Sequence, residues 1–377
     1  MSPLFPLLWG DEVKASALAD GLDGAAWQAL SRQAEQQRLR PLLHRRSAAG
    51  SWPVPADLAR QWQNSYNRAA MRALGQRAVL VRIGAALGAQ RVRSAILKGG
   101  AFVWNPGFDP ALRPMRDLDL LIAPEDLTRV VGILTAAGFA GGSTELAESG
   151  KHLPAMISDE VTVEPHLHLF DSYDDQAAER ERQFIARAWQ RAEPAAVPGL
   201  AALCPTDTLL HLILHAVLDH QFNNGPLLLG DLKALIGSER IDWTLFWNEA
   251  ERLYAVRACQ LALGVGQELA GIAVGWGKHA PGDLGAVQVE RVAHLMLVDI
   301  DRRSAVGWPG QLLRLPLRRW PGHLFAMLRR RRQREVNVEA PGGEAGLRAA
   351  IGHALGVQGR ADIADAVEVA RWLGRSS

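Results

Sequence analysis

Apolar residues recur every three to four positions over residues 27–43 and again over 55–87, without β-branched runs, a spacing that predicts two amphipathic helices. Trp52-Pro53-Val54-Pro55 separates them, because two prolines cannot sit inside a helix. Near residue 92 the pattern shortens. Residues 92–97 form a β-capable run, Lys98-Gly99-Gly100 a tight turn, and residues 101–104 an apolar stretch expected to start a helix. After a Pro/Gly-rich connection over 105–114, Asp117-Leu118-Asp119-Leu120-Leu121-Ile122 alternates and then becomes apolar, as a strand entering a core does. Pro124-Glu125-Asp126 opens a helix with proline and acids in its first turn, and Leu127, Val130, Val131 and Leu134 form its stripe. Residues 152–158 and 161–170 predict a hairpin joined through Asp159-Glu160. Helical spacing returns over 177–271, with turns at 194–199 and 223–226, and a last helix is expected over 361–373.

The order of these patterns predicts an α+β protein in four parts. These are a helical segment over 1–90, a compact core over 91–172, a helical segment over 173–275 and a less regular remainder over 276–377. The chain of 377 residues is 48% hydrophobic and 22% charged, the composition of an ordinary globular protein. The longest apolar stretches, 209–218 and 265–274, contain His, Gln or Glu and are too short for a transmembrane segment. The start of the chain lacks a basic region and a small-residue cleavage site, so no signal peptide is expected. Two cysteines exclude a disulfide scaffold and a thiolate zinc cluster, and a reducing, cytoplasmic setting follows as the expectation.

Charge changes the picture only when it is resolved along the chain. The formal total is +2, but residues 301–335 hold ten arginines against two acids, interleaved with Trp308, Trp320 and Phe325. That combination suits an anionic partner, either a membrane surface or an RNA backbone, or else a solvated helix face. Only five of the basic residues are lysines, and one of them, Lys98, stands in the Gly-Gly turn.

Asp117 and Asp119 are two apart on a strand and therefore project to the same face. Two such carboxylates repel unless a cation sits between them, and Mg²⁺ favours one or two carboxylates together with substrate phosphates. In VTVEPHLHLF, Glu164, His166 and His168 share a face, so the second strand of the hairpin brings a third carboxylate towards the first two. Pro165 lacks a ladder donor, which predicts that this strand is an edge or bulged there. Lys98-Gly99-Gly100 lets backbone N–H groups approach a phosphate, with the lysine as a point charge.

ILKGG, LRPMRDLDLLIAPEDL and VTVEPHLHLF together resemble the polymerase-β-type nucleotidyltransferase superfamily. The nearest branch is that of largely uncharacterised bacterial nucleotidyltransferases, and the LKGG start is also similar to abortive-infection nucleotidyltransferase toxins. TDTLLHLILHAVLDHQF, GDLKALI and IDWTLFWNEA are similar to that branch's downstream helices, so the resemblance spans roughly residues 25–270. It implies a polymerase-β-like core embedded in helical segments. It further implies two Mg²⁺ ions, with Mn²⁺ as an alternative, held by Asp117, Asp119 and Glu164, with Glu164 on the acceptor side. Gly99 and Gly100 would hold the β- and γ-phosphates of an NTP or related nucleotide, with Lys98, Arg113 and Arg116 neutralising charge. The sequence departs from the superfamily in two places. Gly100 stands where a serine hydroxyl is common, and the sixteen residues between Gly100 and Asp117 make a long gap.

The expected reaction is transfer of a nucleoside monophosphate to an unidentified acceptor, which is a small molecule, a peptide or RNA. The alternatives are a toxin-like enzyme acting on tRNA or protein, transfer of a sugar from a nucleotide sugar, and a non-catalytic assembly module. His211 and His215 share a helix face, with His220 close behind; without a third ligand at a diagnostic spacing they are expected to pack or to line the substrate cleft. Asp231 and Lys233 are candidates for lining the cleft or for capping helices, and His166 or His168 for reaching substrate.

Overall fold

The computed structural model describes residues 1–145, 151–171, 174–299 and 357–374. The arginine-rich stretch over 301–335 lies outside the described residues. The chain opens with helices α1 (Leu4–Trp9), α2 (Glu12–Asp20), α3 (Gly24–Gln36), α4 (Arg40–Gly50) and the long α5 (Ala56–Ala89). Asp11 and Asp23 cap α2 and α3 by accepting backbone N–H groups of the first turn. α5 has 34 residues and begins after Pro55 with Asp57 in its first turn. Its buried side (Leu58, Trp62, Val79, Leu80, Ile83 and Leu87) packs against the other helices and the sheet. Trp27, Trp52 and Trp62 pack together there, and the Trp62 indole N–H donates to Ser31 Oγ at 2.9 Å.

The sheet begins with β1 (Ser94–Ile96) and β2 (Asp117–Ile122), followed by α6 (Leu127–Ala136) and the strands β3 (Ala140–Gly141), β4 (Met156–Ser158) and β5 (Val161–His166). Helix α7 (Asp175–Arg191) leads to β6 (Glu193–Pro194) and β7 (Ala201–Ala202). The strand order is β3-β4-β5-β2-β1-β7-β6, with β2–β5 and β1–β7 parallel and the other pairs antiparallel. α8 (Pro205–Leu214) continues into a π-turn over His215–Asp219, and α9 (Leu227–Gly237), α10 (Trp243–Arg252), α11 (Val256–Ala270), α12 (Ala286–Leu297) and α13 (Val357–Leu373) complete the described chain. This is the expected α+β class. Among the described residues no helix is long and apolar enough to cross a membrane.

Four local expectations change. The spacing over 27–43 is not one helix: α3 ends at Gln36 and α4 begins at Arg40, with Arg38 left-handed at φ 60° between them. Residues 101–104 do not start an α-helix; a single 3₁₀ turn, Lys98–Ala101, follows β1. Leu97 N–H is bound to the Asp119 carbonyl and Lys98 is left-handed at φ 52°, so the chain turns before a helical nucleus can propagate. β5 is an interior strand, not an edge, although it contains Pro165. β4 has already ended at Met156, and beyond it the Pro165 carbonyl accepts Leu153 N–H, a bond that asks no donor of proline. The turn expected over 194–199 belongs to a two-stranded hairpin, in which residues 195–200 connect β6 to β7 and β7 pairs with β1, so the sheet extends to Ala202.

Candidate active site

The parallel register of β2 and β5 decides the site. Asp119 stands opposite Glu164 and Asp117 opposite Thr162, so all three acids lie close together on neighbouring strands. Asp119 is 4% exposed, because Leu118, Leu120, Leu121 and Ile122 carry β2 into the core immediately beyond it. Its Oδ1 accepts Lys98 Nζ at 2.9 Å and His166 Nε2 at 2.8 Å. Glu164 Oε2 lies 3.8 Å from His166 Nε2 and 3.9 Å from His152 Nε2.

The acids differ in charge balance. Burial alone would push Asp119 up, but the Lys98 ammonium and His166 hold it well below the usual carboxylate range. Burial and the neighbouring charge of Asp119 push Asp117 up, with Glu164 adding to the effect. Glu164 is lowered against the opposing effect of burial, chiefly by His166 and then by His152. Both ring nitrogens of His166 face oxygens, Nε2 towards Asp119 and Nδ1 towards the His168 carbonyl at 3.2 Å. Only the imidazolium can donate to both, and its pKa is raised accordingly, although burial works against it.

One ligand atom from each of Asp119, Glu164 and His166 lies within 4.8 Å of the others, the spacing of a divalent-cation site. The donor set fits once His166 gives up its Nε2 proton: two carboxylates, and an imidazole whose far nitrogen already faces a backbone carbonyl, as in many metal sites. His166 therefore stands among the candidate ligands, a position the sequence reading gave to Asp117 alongside Asp119 and Glu164. Asp117 remains adjacent, on the same edge of the cluster.

The Gly-Gly turn is closely packed. A Cβ on Gly99 would fall 2.5 Å from Arg113 Cζ, and one on Gly100 would fall 2.6 Å from the Ile96 side chain. Both glycines are buried, so their bareness serves close packing; Gly99 is the floor on which the Arg113 guanidinium rests. Arg113 is also held by Asp231, Nε to Oδ1 at 3.0 Å and Nη2 to Oδ2 at 2.8 Å. Asp231, 2% exposed, is thus the anchor of an arginine. Arg116 is exposed at the other end of the same loop. Lys233 lies away from the acids and donates to the carbonyls of Trp9 and Ala270, joining the ends of α1 and α11.

Over the Lys98 turn lies the end of α8. His211 is buried beside Phe170 with no hydrogen-bond partner for Nδ1; burial, then the charges of Lys98 and His166, push it down to about 3. His215 is likewise held well below its usual value by burial and Lys98. The ring is therefore neutral, and with Nδ1–H donated to Asp219 Oδ2 at 3.1 Å its Nε2 carries the lone pair, towards which His220 Nε2 points at 3.1 Å. Asp219 also accepts Lys151 Nζ at 2.9 Å, and Lys151 lies 3.4 Å from Asp171. The π-turn brings His220 back over His215, since its wider winding places residues five apart on one side. His168 faces Glu181 at 3.2 Å, and Glu181 also accepts the N–H groups of Leu169 and Phe170.

Four residues of this neighbourhood were missed in the sequence: Arg38, His152, Lys151 and Asp219. Asp219 carried a legible signal, four residues after His215. His152 lies across from His166 only through a bridge between chain segments, and Arg38 reaches Pro114 O from the junction of α3 and α4; neither has a local marker.

Residues 23–271 match the model of a family described as "Uncharacterised nucleotidyltransferase", and that span covers the sheet, the acids and the helices over them. The chain belongs to this nucleotidyltransferase family. No curated protein and no solved structure matches it. The family accounts for the expected class, a transferase with a nucleotide substrate, and its span excludes the first helices and everything from α12 onwards.

Proposed function

We propose that this nucleotidyltransferase moves a nucleoside monophosphate from an NTP to an acceptor hydroxyl or phosphate, at the cluster of Asp117, Asp119 and Glu164. The observation that carries this reading is the pairing of Asp119 with Glu164, which assembles three acids on two adjacent strands beside a lysine at a strand-end turn. Like charges at that spacing call for a divalent cation. When bound, Mg²⁺ (or Mn²⁺), in a pair of ions, supplies charge neutralisation at the phosphoryl oxygens and polarises the attacking group.

The remaining roles belong to the chain. Lys98, already beside Asp119, is the ammonium that meets the transferring phosphate. Arg113, braced by Asp231 and resting on Gly99, sets the shape of the phosphate cradle. Acceptor oxygen bonds to the α-phosphorus as the bond to the β-phosphate oxygen breaks and pyrophosphate leaves. Glu164, on the acceptor side, takes the acceptor's proton.

The test combines binding with turnover. One NTP with Mg²⁺ should raise the melting temperature, and an α-phosphate-labelled NTP should label a component of host extract. Asp119→Ala should abolish the shift and lower labelling at least about 100-fold. No thermal shift with any nucleotide or nucleotide sugar, or undiminished labelling by Asp119→Ala, overturns the reading.

A further inference from the structure

The loop Arg113-Pro114-Met115-Arg116 gathers more positive charge than its neighbours answer. Arg113 is satisfied by Asp231. Arg116 is exposed and has no carboxylate within ion-pair distance among the described residues. A third guanidinium arrives from outside the sheet. Arg38, in the junction between α3 and α4, donates from Nη1 to the Pro114 carbonyl at 3.4 Å, which sets it between Arg113 and Arg116 in the chain of the loop. Its Nε is buried with no acceptor.

The junction holds Arg38 firmly. Its backbone is left-handed at φ 60°, the next residue Leu39 is fully buried, and the preceding Gln37 side chain donates to the carbonyls of Leu297 and Val298 at 3.2 and 3.1 Å. A non-glycine residue in that conformation persists only where its surroundings fix it. The loop is fixed as well, since Gln76 Nε2 donates to the Met115 carbonyl at 3.2 Å. Burial and then the charges of Arg116 and Arg113 pull the Arg38 pKa down to about 10. A rigid guanidinium with an orphaned donor, crowded by like charges, lacks an anion. Lys98 bonds Asp119, while Arg116 immediately precedes Asp117, two residues back along β2, so the cations are spread along the acids instead of meeting at one point. A single phosphate cannot serve both ends; a chain of phosphates can.

We infer that Arg38 and Arg116 bind the terminal phosphates of a polyphosphate ligand whose other end lies beside Lys98, so that the N-terminal helices complete the binding site. That the ligand is a donor NTP rests on the proposed function; that it is a polyphosphate does not.

The experiment uses the full chain and two probes, inorganic tripolyphosphate and Mg²⁺-NTP, read by calorimetric titration at low salt. The parent protein should bind tripolyphosphate, Arg38→Met and Arg116→Ala should each weaken it at least about tenfold, and Arg38→Lys should weaken it less. Arg129→Ala, on the surface of α6, should change nothing. A melting temperature for each variant identifies any that fail to fold, and Arg38→Lys, which keeps stem and charge, then carries the test together with Arg116→Ala. In turnover, the same variants should raise KM for the NTP more than they lower kcat. Absence of tripolyphosphate binding in the parent, or unchanged binding in both Arg38→Lys and Arg116→Ala, overturns the inference while leaving nucleotidyl transfer intact. Weakened tripolyphosphate binding without any labelled transfer upholds it and removes the transferase reading instead.

Discussion

His211 shows how one buried side chain makes the stability of the fold depend on pH. Its imidazole is 1% exposed, and the Nδ1 atom has no partner. The folded protein keeps it neutral down to about 3, whereas in the unfolded chain it gains a proton near 6.5. A folded pKa below the unfolded one means that stability is full above about 6.5 and is lost as the pH falls towards 3. Each pH unit in that window removes up to about 1.4 kcal/mol for one such group. His215 acts in the same direction. His211→Leu is therefore expected to flatten the fall of stability between pH 6.5 and 5, measured by urea denaturation at each pH. An unchanged slope would mean that His211 already takes up a proton in the folded protein.

At the scale of elements, the β4–β5 hairpin sets Glu164 in place, and its turn is strained. Asp159 and Glu160 both have positive φ, 51° and 62°, the geometry of a tight hairpin turn that favours glycine. Arg82 ties the turn down by bonding Ser158 and Asp159, while Glu160 is exposed. Glu160→Gly relieves a left-handed side chain of about 1–2 kcal/mol, against a backbone-entropy cost of roughly 0.5–1 kcal/mol. The expected result is a gain of about 0.5–1 kcal/mol in stability with the activity retained, read from the denaturation midpoint. A loss of stability would show that Glu160 holds a contact that the turn needs. The hairpin itself was legible, since alternation and the Asp-Glu break marked it. The parallel pairing of β5 with β2 was not, because register depends on how the intervening helix returns the chain to the sheet.

For the molecule as a whole, charge networks join the helices that surround the sheet. Glu249 of α10 is 0% exposed and meets Arg187 of α7 at 2.6 Å, with Arg191 and Arg252 at 3.4 and 3.1 Å. Arg191 also grips Asp207 at the start of α8, so three helices meet on a few ions. Burial opposes the charge of Glu249, yet the arginines, Arg187 foremost, hold its pKa down. Glu249→Ala should cost about 2–3 kcal/mol, less than orphaning a fully buried ion because the arginines still touch water. Urea unfolding with an unchanged m value is the check, and a cost below about 0.5 kcal/mol would contradict it. The Arg38 site belongs to this scale too, since it exists only because the N-terminal helices dock on the sheet's loop.

The sequence by itself determined which residues share a strand face and which stretches are broadly helical, but not every helix boundary, since the spacing over 27–43 spans both α3 and α4. Side-chain period and capping act over a few residues, so Asp117, Asp119 and Glu164, the hairpin, and the α+β class could all be read from it. It also put Lys98 at the end of a strand. Tertiary structure alone decided that Asp119 faces Glu164, that His166 bridges them, and that Arg113 is held by Asp231. It decided as well that His211 and His215 are neutral and that Arg38 completes the cation cluster. Those outcomes depend on segments far apart in the chain meeting at a few ångströms, and on the solvent they exclude when they meet. Neither quantity has a local signature, which is why the acids were visible in the sequence and most of their partners were not.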